Sequence, residues 1–297
     1  MVATVDELVY DRGMPKLTNV LLAGLFACGG SSNTTTPDGP GSNGSNGSNG
    51  SNGSNGSNGS NGSAGALTCN GNSAPTPASM VTLTGNLQTV TGTLAMFNFA
   101  LAPLASTSVD ICTGADCATK ITTVTTDGSG NFTTGPLPTS GTAIPAYLEI
   151  SGGSNVTTFG YPAEPVAMNT SGQAIVFPSS FTSLLSLSGN CTQGAGTGII
   201  GVEVVDCNNA VITDTTNVTI SVTENGAAAG GSAIDIGALA ASASLTGLAS
   251  LKGFFLVCDV PAGSATVNAT YMGKTFLANT VEVDGSDATE AVIRPGY

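Results

Sequence analysis

The amino-acid sequence predicts an all-β protein: two small antiparallel β-sandwich domains after a disordered Ser-Asn-Gly tether. Three observations predict this class. Only 8% of the 297 residues are charged, so residues that favour helices are scarce. Val and Thr, which favour strands, recur in short alternating runs that are separated by Gly- and Asn-containing turns. A stretch near the N-terminus lacks the apolar residues that a core requires.

A short apolar run near the N-terminus predicts a signal peptide over residues 1–27. The run from Leu21 to Ala27 is too short to span a bilayer but suits the apolar region of a signal peptide. Met14-Pro15-Lys16 precedes it as a short basic start, whereas the residues further upstream are acidic. We therefore expect translation to begin at Met14, with residues 1–13 untranslated.

The end of this run, Leu25-Phe26-Ala27-Cys28, resembles the lipobox of bacterial lipoproteins. The resemblance implies cleavage before Cys28 and attachment of a diacylglycerol to its thiol. Several acyl chains anchor a protein firmly, because each buried methylene contributes about 0.8 kcal/mol. The absence of an Asp after Cys28 favours transfer to the outer membrane or cell surface of a Gram-negative bacterium, with the periplasmic face as an alternative. The competing interpretation is an ordinary secretory signal with a chance cysteine.

Residues 28–66 form a low-complexity linker in which Ser-Asn-Gly repeats seven times between Ser42 and Gly62. A segment of this composition cannot offset the entropy of ordering, so it is expected to be disordered and to hold a domain away from the membrane. A repeat expansion with no specific role would have the same composition.

Two β-sandwich domains are predicted after the linker, over residues 67–189 and 190–297. In the first domain, the run from Lys120 to Thr126 alternates and stops at a Gly-rich turn, Asp127 to Gly130. In the second, Asn217 to Thr223 alternates in the same way. The Ala-, Gly- and Ser-rich stretch from Ala227 to Leu251 is interpreted as an insertion without regular structure.

Turn and strand motifs in both halves resemble the carboxypeptidase regulatory-domain-like modules, which are prealbumin-like β-sandwiches. The first half has Thr126-Asp-Gly-Ser-Gly-Asn-Phe-Thr133 followed by Leu137-Pro-Thr-Ser-Gly141. The second has Gly201 to Asn208, then Gly253-Phe-Phe-Leu256 and Val260-Pro-Ala-Gly263. The resemblance implies a structural or adhesive role and no catalytic residue.

Six cysteines remain if Cys28 is lipidated, and an even number in an exported protein predicts disulfides. These residues are Cys69, Cys112, Cys117, Cys191, Cys207 and Cys258. Fifteen pairings are open. Our order of preference is Cys112–Cys117, then Cys207–Cys258, then Cys69–Cys191.

Two clusters of oxygen-bearing side chains are candidates for a metal-binding or catalytic site. Asp127 and Asn131 are candidate ligands for Ca²⁺, but the pattern lacks the remainder of an EF-hand loop, so a plain hairpin turn is favoured and no metal site is predicted. Four carboxylates lie close together in the sequence near the C-terminus. Enzymes that hydrolyse glycosides use paired carboxylates, but this group is interpreted as a solvated, acidic strand edge. The four are Glu282, Asp284, Asp287 and Glu290.

The composition excludes several functional classes. The chain has no His, which removes the commonest general base and the main ligand of zinc and iron sites. A net charge of −13 with six basic residues argues against nucleic-acid binding. We predict no enzyme activity, no cofactor, and a membrane-anchored structural, adhesive or interaction role with a protein or polysaccharide partner. The alternative is a ligand-binding lipoprotein for carbohydrate or Ca²⁺.

Overall fold

The structure is a computed structural model that describes residues 67, 69, 74–93, 98–181, 191–243 and 247–297. The predicted signal peptide, Cys28 and the Ser-Asn-Gly linker lie outside these residues. The predicted domain boundary between residues 189 and 190 also lies outside them, so it stays a prediction.

Nineteen strands occur in the described ranges. In chain order they are β1 (Met80–Val81), β2 (Leu83–Thr93), β3 (Asn98–Pro103), β4 (Ser108–Thr113), β5 (Thr119–Thr125), β6 (Asn131–Thr133), β7 (Leu137–Pro138), β8 (Tyr147–Ile150), β9 (Thr158–Tyr161), β10 (Thr170–Val176), β11 (Thr197–Val204), β12 (Val218–Glu224), β13 (Ala227–Ala228), β14 (Ile234–Asp235), β15 (Phe254–Pro261), β16 (Gly263–Tyr271), β17 (Lys274–Thr275), β18 (Asn279–Val283) and β19 (Ala288–Ile293). The described residues also include the α-helix α1 (Ile236–Ala243), a helical stretch at residues 179–181, and three 3₁₀ turns, Ala115–Cys117, Thr215–Asn217 and Ala249–Leu251.

The strands form one large sheet and three smaller ones. The eight-stranded sheet has the order β14-β15-β11-β19-β9-β8-β4-β5. A four-stranded sheet has the order β10-β2-β3 with β6 also paired to β2, and a five-stranded sheet has the order β13-β12-β16-β17 with β18 also paired to β16. A two-stranded sheet pairs β1 with β7. The prediction of an all-β protein is therefore confirmed.

The eight-stranded sheet contains strands from both predicted sandwiches. They meet where β9 pairs with β19 in parallel, with Thr158 opposite Ala288 and Tyr161 opposite Ala291. Most strand pairs are antiparallel, but β2 with β10 and β11 with β19 are parallel as well. Parallel pairs need long crossovers, so they join strands far apart in sequence and leave no local turn signal.

Two cores lie between the large sheet and the smaller sheets. The first contains Leu87, Ile111 and Ile150, and the second contains Val202 and Val267. Strand β16 shows how the second core arises, because every second residue from Ala265 to Tyr271 is buried. Strand β19 is buried at nearly every position, as expected for a strand with a parallel neighbour on both sides.

A third cluster joins the two halves. Phe99, Phe177 and Phe181 pack with Phe254 and Leu256, and the rings of Phe177 and Phe254 are 6.1 Å apart. Burying aromatic side chains from both halves in one cluster couples their stability.

The stretch from Ala227 to Leu251, expected to lack regular structure, contains helix α1. Asp235 caps this helix, because its Oδ1 accepts a hydrogen bond from the Ala238 N–H at 3.0 Å. Ile236 and Ala240 are buried in the third cluster together with Leu251. The expectation was wrong for these residues because their small and apolar side chains cover the third cluster.

Candidate functional site

Three disulfides connect the six cysteines outside Cys28. The pairing Cys112–Cys117 is confirmed. The other two predicted pairs were wrong, because Cys69 bonds to Cys207 and Cys191 bonds to Cys258. Cys112 and Cys117 are five residues apart, so their pairing is local, whereas the other partners are brought together only by how the whole chain folds.

The two long-range disulfides join residues that are far apart in the chain. Cys69 is joined to Cys207 across 138 residues, and Cys191 is joined to Cys258 across 67 residues. Cys191 and Cys258 are both buried in the third cluster. Neither Cys69 nor Cys191 lies in a strand, so the two bonds attach segments outside the strands to the rest of the fold.

Asp127 and Asn131, the candidate Ca²⁺ ligands, lie together in a tight turn. Asp127 Oδ1 accepts hydrogen bonds from the N–H groups of Ser129 at 2.8 Å and Asn131 at 2.9 Å. These backbone hydrogen bonds, the one from Asn131 first, lower the pKa of Asp127. Gly130 has a positive φ of 79°, and a side chain there would collide with the Leu87 carbonyl. The carboxylate thus serves the turn, which favours the hairpin interpretation.

The predicted acidic edge is only partly an edge. Asp284 is exposed and lines a small pocket with Glu282, Asp116 and Tyr161. Glu290, in contrast, is only 7% exposed. Its interpretation as a solvated residue was wrong, because it lies on the central strand β19 and points into the space between two sheets.

Glu290 is held by the backbone of β10. Both of its carboxyl oxygens accept the Ile175 N–H, at 2.9 and 3.1 Å. Burial raises the pKa of Glu290 well above its ordinary value, the Ile175 hydrogen bond opposes this rise, and nearby Glu203 adds to it. Burial also raises the pKa of Glu203, against a hydrogen bond from the Gln173 side chain. Burial therefore disfavours the charged form of both carboxyl groups.

A groove and a cavity meet beside these carboxyl groups. The groove has a volume of about 500 Å³ and is lined by Gln173, Glu203 and Arg294 among others. The cavity has a volume of about 90 Å³ and is lined largely by apolar side chains such as Leu83 and Phe132, with Glu290 among them. Thr170, Gly172, Gln173, Pro162 and Val292 line both spaces.

The only arginine of the groove is already engaged. Arg294 Nη1 lies 3.8 Å from Glu164 Oε2, and its guanidinium lies 5.0 Å from the centre of the Tyr297 ring. The Tyr297 hydroxyl donates a hydrogen bond to the same Glu164 oxygen. Arg294 is therefore partly engaged by Glu164 and Tyr297, although its buried Nε has no hydrogen-bond partner among the described residues. The groove has a mixed polar and apolar lining typical of binding sites.

Close groups of metal-binding side chains are rare in the described part of the chain. One group brings Cys112, Cys117 and Glu149 within 4.8 Å, but the two cysteines form a disulfide. Asp127 does not belong to such a group of His, Cys, Asp and Glu side chains. No helix of the described residues is long and apolar enough to cross a membrane.

Comparison with known proteins identifies no family. No protein-family model matches the chain, and no curated protein matches it. Among solved structures, the Bacillus anthracis TIE protein is 10% identical over 72% of this chain and 35% of that chain, with a TM-score of 0.21. The match therefore spans about a third of that protein.

Two pilins give similar values. Shaft pilin SpaA from Lactobacillus rhamnosus GG is 11% identical over 73% of this chain and 98% of that chain, with a TM-score of 0.23. GBS52, the minor pilin of Streptococcus agalactiae, is 9% identical over 73% of this chain and 96% of that chain, with a TM-score of 0.21. TM-scores this low do not establish a shared function. The fold and site define a disulfide-stabilised all-β protein with one mixed groove.

Proposed function

We propose that this chain is a lipid-anchored, extracytoplasmic β-sandwich protein with a structural, adhesive or interaction role and no catalytic activity. The observation that carries the proposal is the set of three disulfides across an all-β fold. Disulfides form and persist in oxidising compartments, outside the cytoplasm in most bacteria. The proposed anchor is Cys28, at the outer membrane or cell surface of a Gram-negative bacterium.

The chemistry of the chain supports a role without catalysis. His is absent from the sequence, so the commonest general base is missing. The groove supports an interaction role, because a volume of about 500 Å³ falls in the usual range of ligand sites.

The anchor is tested by metabolic labelling. The full chain, expressed in a Gram-negative host, is expected to incorporate labelled palmitate and to partition into detergent. The Cys28→Ala variant should lose both properties, and the matched Ser31→Ala variant should keep them. Unchanged labelling of Cys28→Ala would contradict the anchor.

A further inference from the structure

Strand β10 is the edge of the four-stranded sheet, with β2 on one side only. The Thr170 N–H donates to the Thr82 carbonyl at 3.1 Å, so the backbone groups of Thr170 and of every second residue after it face β2. The backbone groups of Ser171, Gln173 and Ile175 consequently face away from the sheet.

This outward edge is covered at one end and open at the other. The Ile175 N–H donates to Glu290, and the Phe177 carbonyl accepts the Val156 N–H at 2.9 Å. No described residue forms a hydrogen bond with the outward backbone groups of Ser171 or Gln173. Both residues are exposed and both line the groove. Two residues of free strand edge therefore face a space that is large enough for a ligand.

The cavity lies directly beside this open edge. Gly172 lines it, and a side-chain carbon placed on Gly172 would meet nothing within 4 Å. The volume of about 90 Å³ is smaller than an engineered apolar cavity of about 150 Å³ that binds benzene, so it suits a small aliphatic side chain. The open edge and the apolar cavity together present what an additional strand requires.

We propose that the Ser171–Gln173 edge binds an extended, uncharged polypeptide strand by strand addition, with one aliphatic side chain of that strand in the cavity beside Gly172. Paired N–H and C=O groups at strand spacing match the main chain of another strand. The groove is lined by the carboxyl groups of Glu164 and Glu203, which disfavour an acidic strand, and its arginine, Arg294, already faces Glu164. The proposal deepens the interaction role above but does not depend on the lipid anchor.

Binding is tested with the purified full-length protein in mild detergent. The probe is a fluorescein-labelled, end-blocked hexapeptide of alternating Thr and Val, followed by fluorescence anisotropy. Saturable binding is expected. Methylating the amides of every second residue should abolish binding in one frame and preserve it in the other, because alternate residues of a strand present their N–H groups to opposite edges.

Two variants locate the site. Ser171→Pro removes one outward N–H without disturbing the pairing with β2, and it should weaken binding by about tenfold or more, as loss of one or two hydrogen bonds predicts. The matched Ser171→Thr variant keeps the N–H and should bind within about twofold of the natural chain. Gly172→Leu should fill the cavity and abolish binding, which keeps the test valid if the proline variant fails to fold.

The contradicting results are equally specific. No saturable binding of the hexapeptide, equal binding by Gly172→Leu, or loss of binding in neither N-methylated frame would overturn the proposal. Binding of maltohexaose in place of the peptide would assign the groove to carbohydrate and would also overturn it. A failure of palmitate labelling at Cys28 leaves each of these results unaffected, so the two proposals fail separately.

Discussion

At the scale of single residues, the carboxyl group of Glu290 affects both the stability of the fold and the strand edge beside the groove. It is a carboxyl group on a central strand, and its partner is one backbone N–H of the neighbouring sheet. The same interaction covers the edge of β10 at Ile175 and leaves Ser171 and Gln173 open. A buried group of this kind has a role in positioning the edge, and its ionisation must oppose folding.

The first prediction concerns the pH dependence of Glu290→Gln. Because the pKa of Glu290 is raised in the folded chain, the unfolded chain loses this proton first as pH rises, and stability declines above the unfolded pKa. Glutamine cannot ionise but keeps an oxygen for the Ile175 N–H. The variant should therefore unfold at a higher temperature than the natural chain at pH 8, with the difference shrinking towards pH 4, as measured by calorimetry.

A second variant controls for lost contacts. Glu290→Ala leaves the buried Ile175 N–H without its acceptor, so it should lower the free energy of unfolding by about 1–3 kcal/mol at pH 4. The loss should be smaller at pH 8, because alanine also escapes the cost of ionising a buried carboxyl group. If Glu290→Gln shows a difference that does not change with pH, Glu290 does not titrate as a buried group.

The turn at Asp127 gives a further prediction at this scale. Its carboxylate oxygens accept N–H groups of the turn, so millimolar Ca²⁺ should leave the unfolding temperature of the full chain unchanged. Thermal unfolding with Ca²⁺ and with a chelator tests this. If Ca²⁺ raises the unfolding temperature of the natural chain but not that of the Asp127→Asn variant, a calcium site would instead be assigned to Asp127 and Asn131.

At the scale of elements, the disulfides differ in the length of chain that they close. In the chain-entropy model the bond across 67 residues contributes about 4 kcal/mol and the bond across five residues about 2 kcal/mol. Replacing Cys191 and Cys258 together by Ala should therefore lower the urea midpoint more than replacing Cys112 and Cys117. Equal effects of the two double variants would contradict this ranking.

Local and long-range features of the fold differed in how far the sequence predicted them. The Cys112–Cys117 bond and the Asp127 turn were predicted, because their partners are neighbours in the chain. Cys258 lies on β15, which pairs with β11, but its partner Cys191 and the partner of Cys207, Cys69, lie outside the strands, so no nearby turn or strand pattern gives a signal. Spacing along the sequence therefore predicts features whose partners are neighbours in the chain. The long-range disulfides depend on how the whole chain folds.

The burial of Glu290 was missed for a related reason. Glu290 lies in the run Ala288 to Ile293, which is otherwise apolar apart from Thr289, but it was grouped with its acidic neighbours Asp284 and Asp287. The useful signal was the run itself, because strands with parallel neighbours on both sides are apolar throughout. The open edge at Ser171–Gln173 had no signal in the sequence, since exposure of a strand edge depends on which strands pair.

At the scale of the whole molecule, the two sandwiches share one sheet and one aromatic cluster. The β9–β19 ladder and the contact between Phe177 and Phe254 cross from one half to the other. The described halves should therefore unfold in one transition. Urea denaturation followed by circular dichroism and by tyrosine fluorescence should give the same midpoint, and two separate transitions would contradict this coupling.

The central claim is that the folded β-sandwiches are secured by disulfides outside the cytoplasm and tethered by a lipid on Cys28. The most direct measurement is mass spectrometry of non-reduced peptides from the protein isolated from cell membranes. The account predicts a mature chain that begins with acylated Cys28 and contains the bonds Cys69–Cys207, Cys112–Cys117 and Cys191–Cys258. An unmodified Cys28, or free thiols at all six other cysteines, would contradict it.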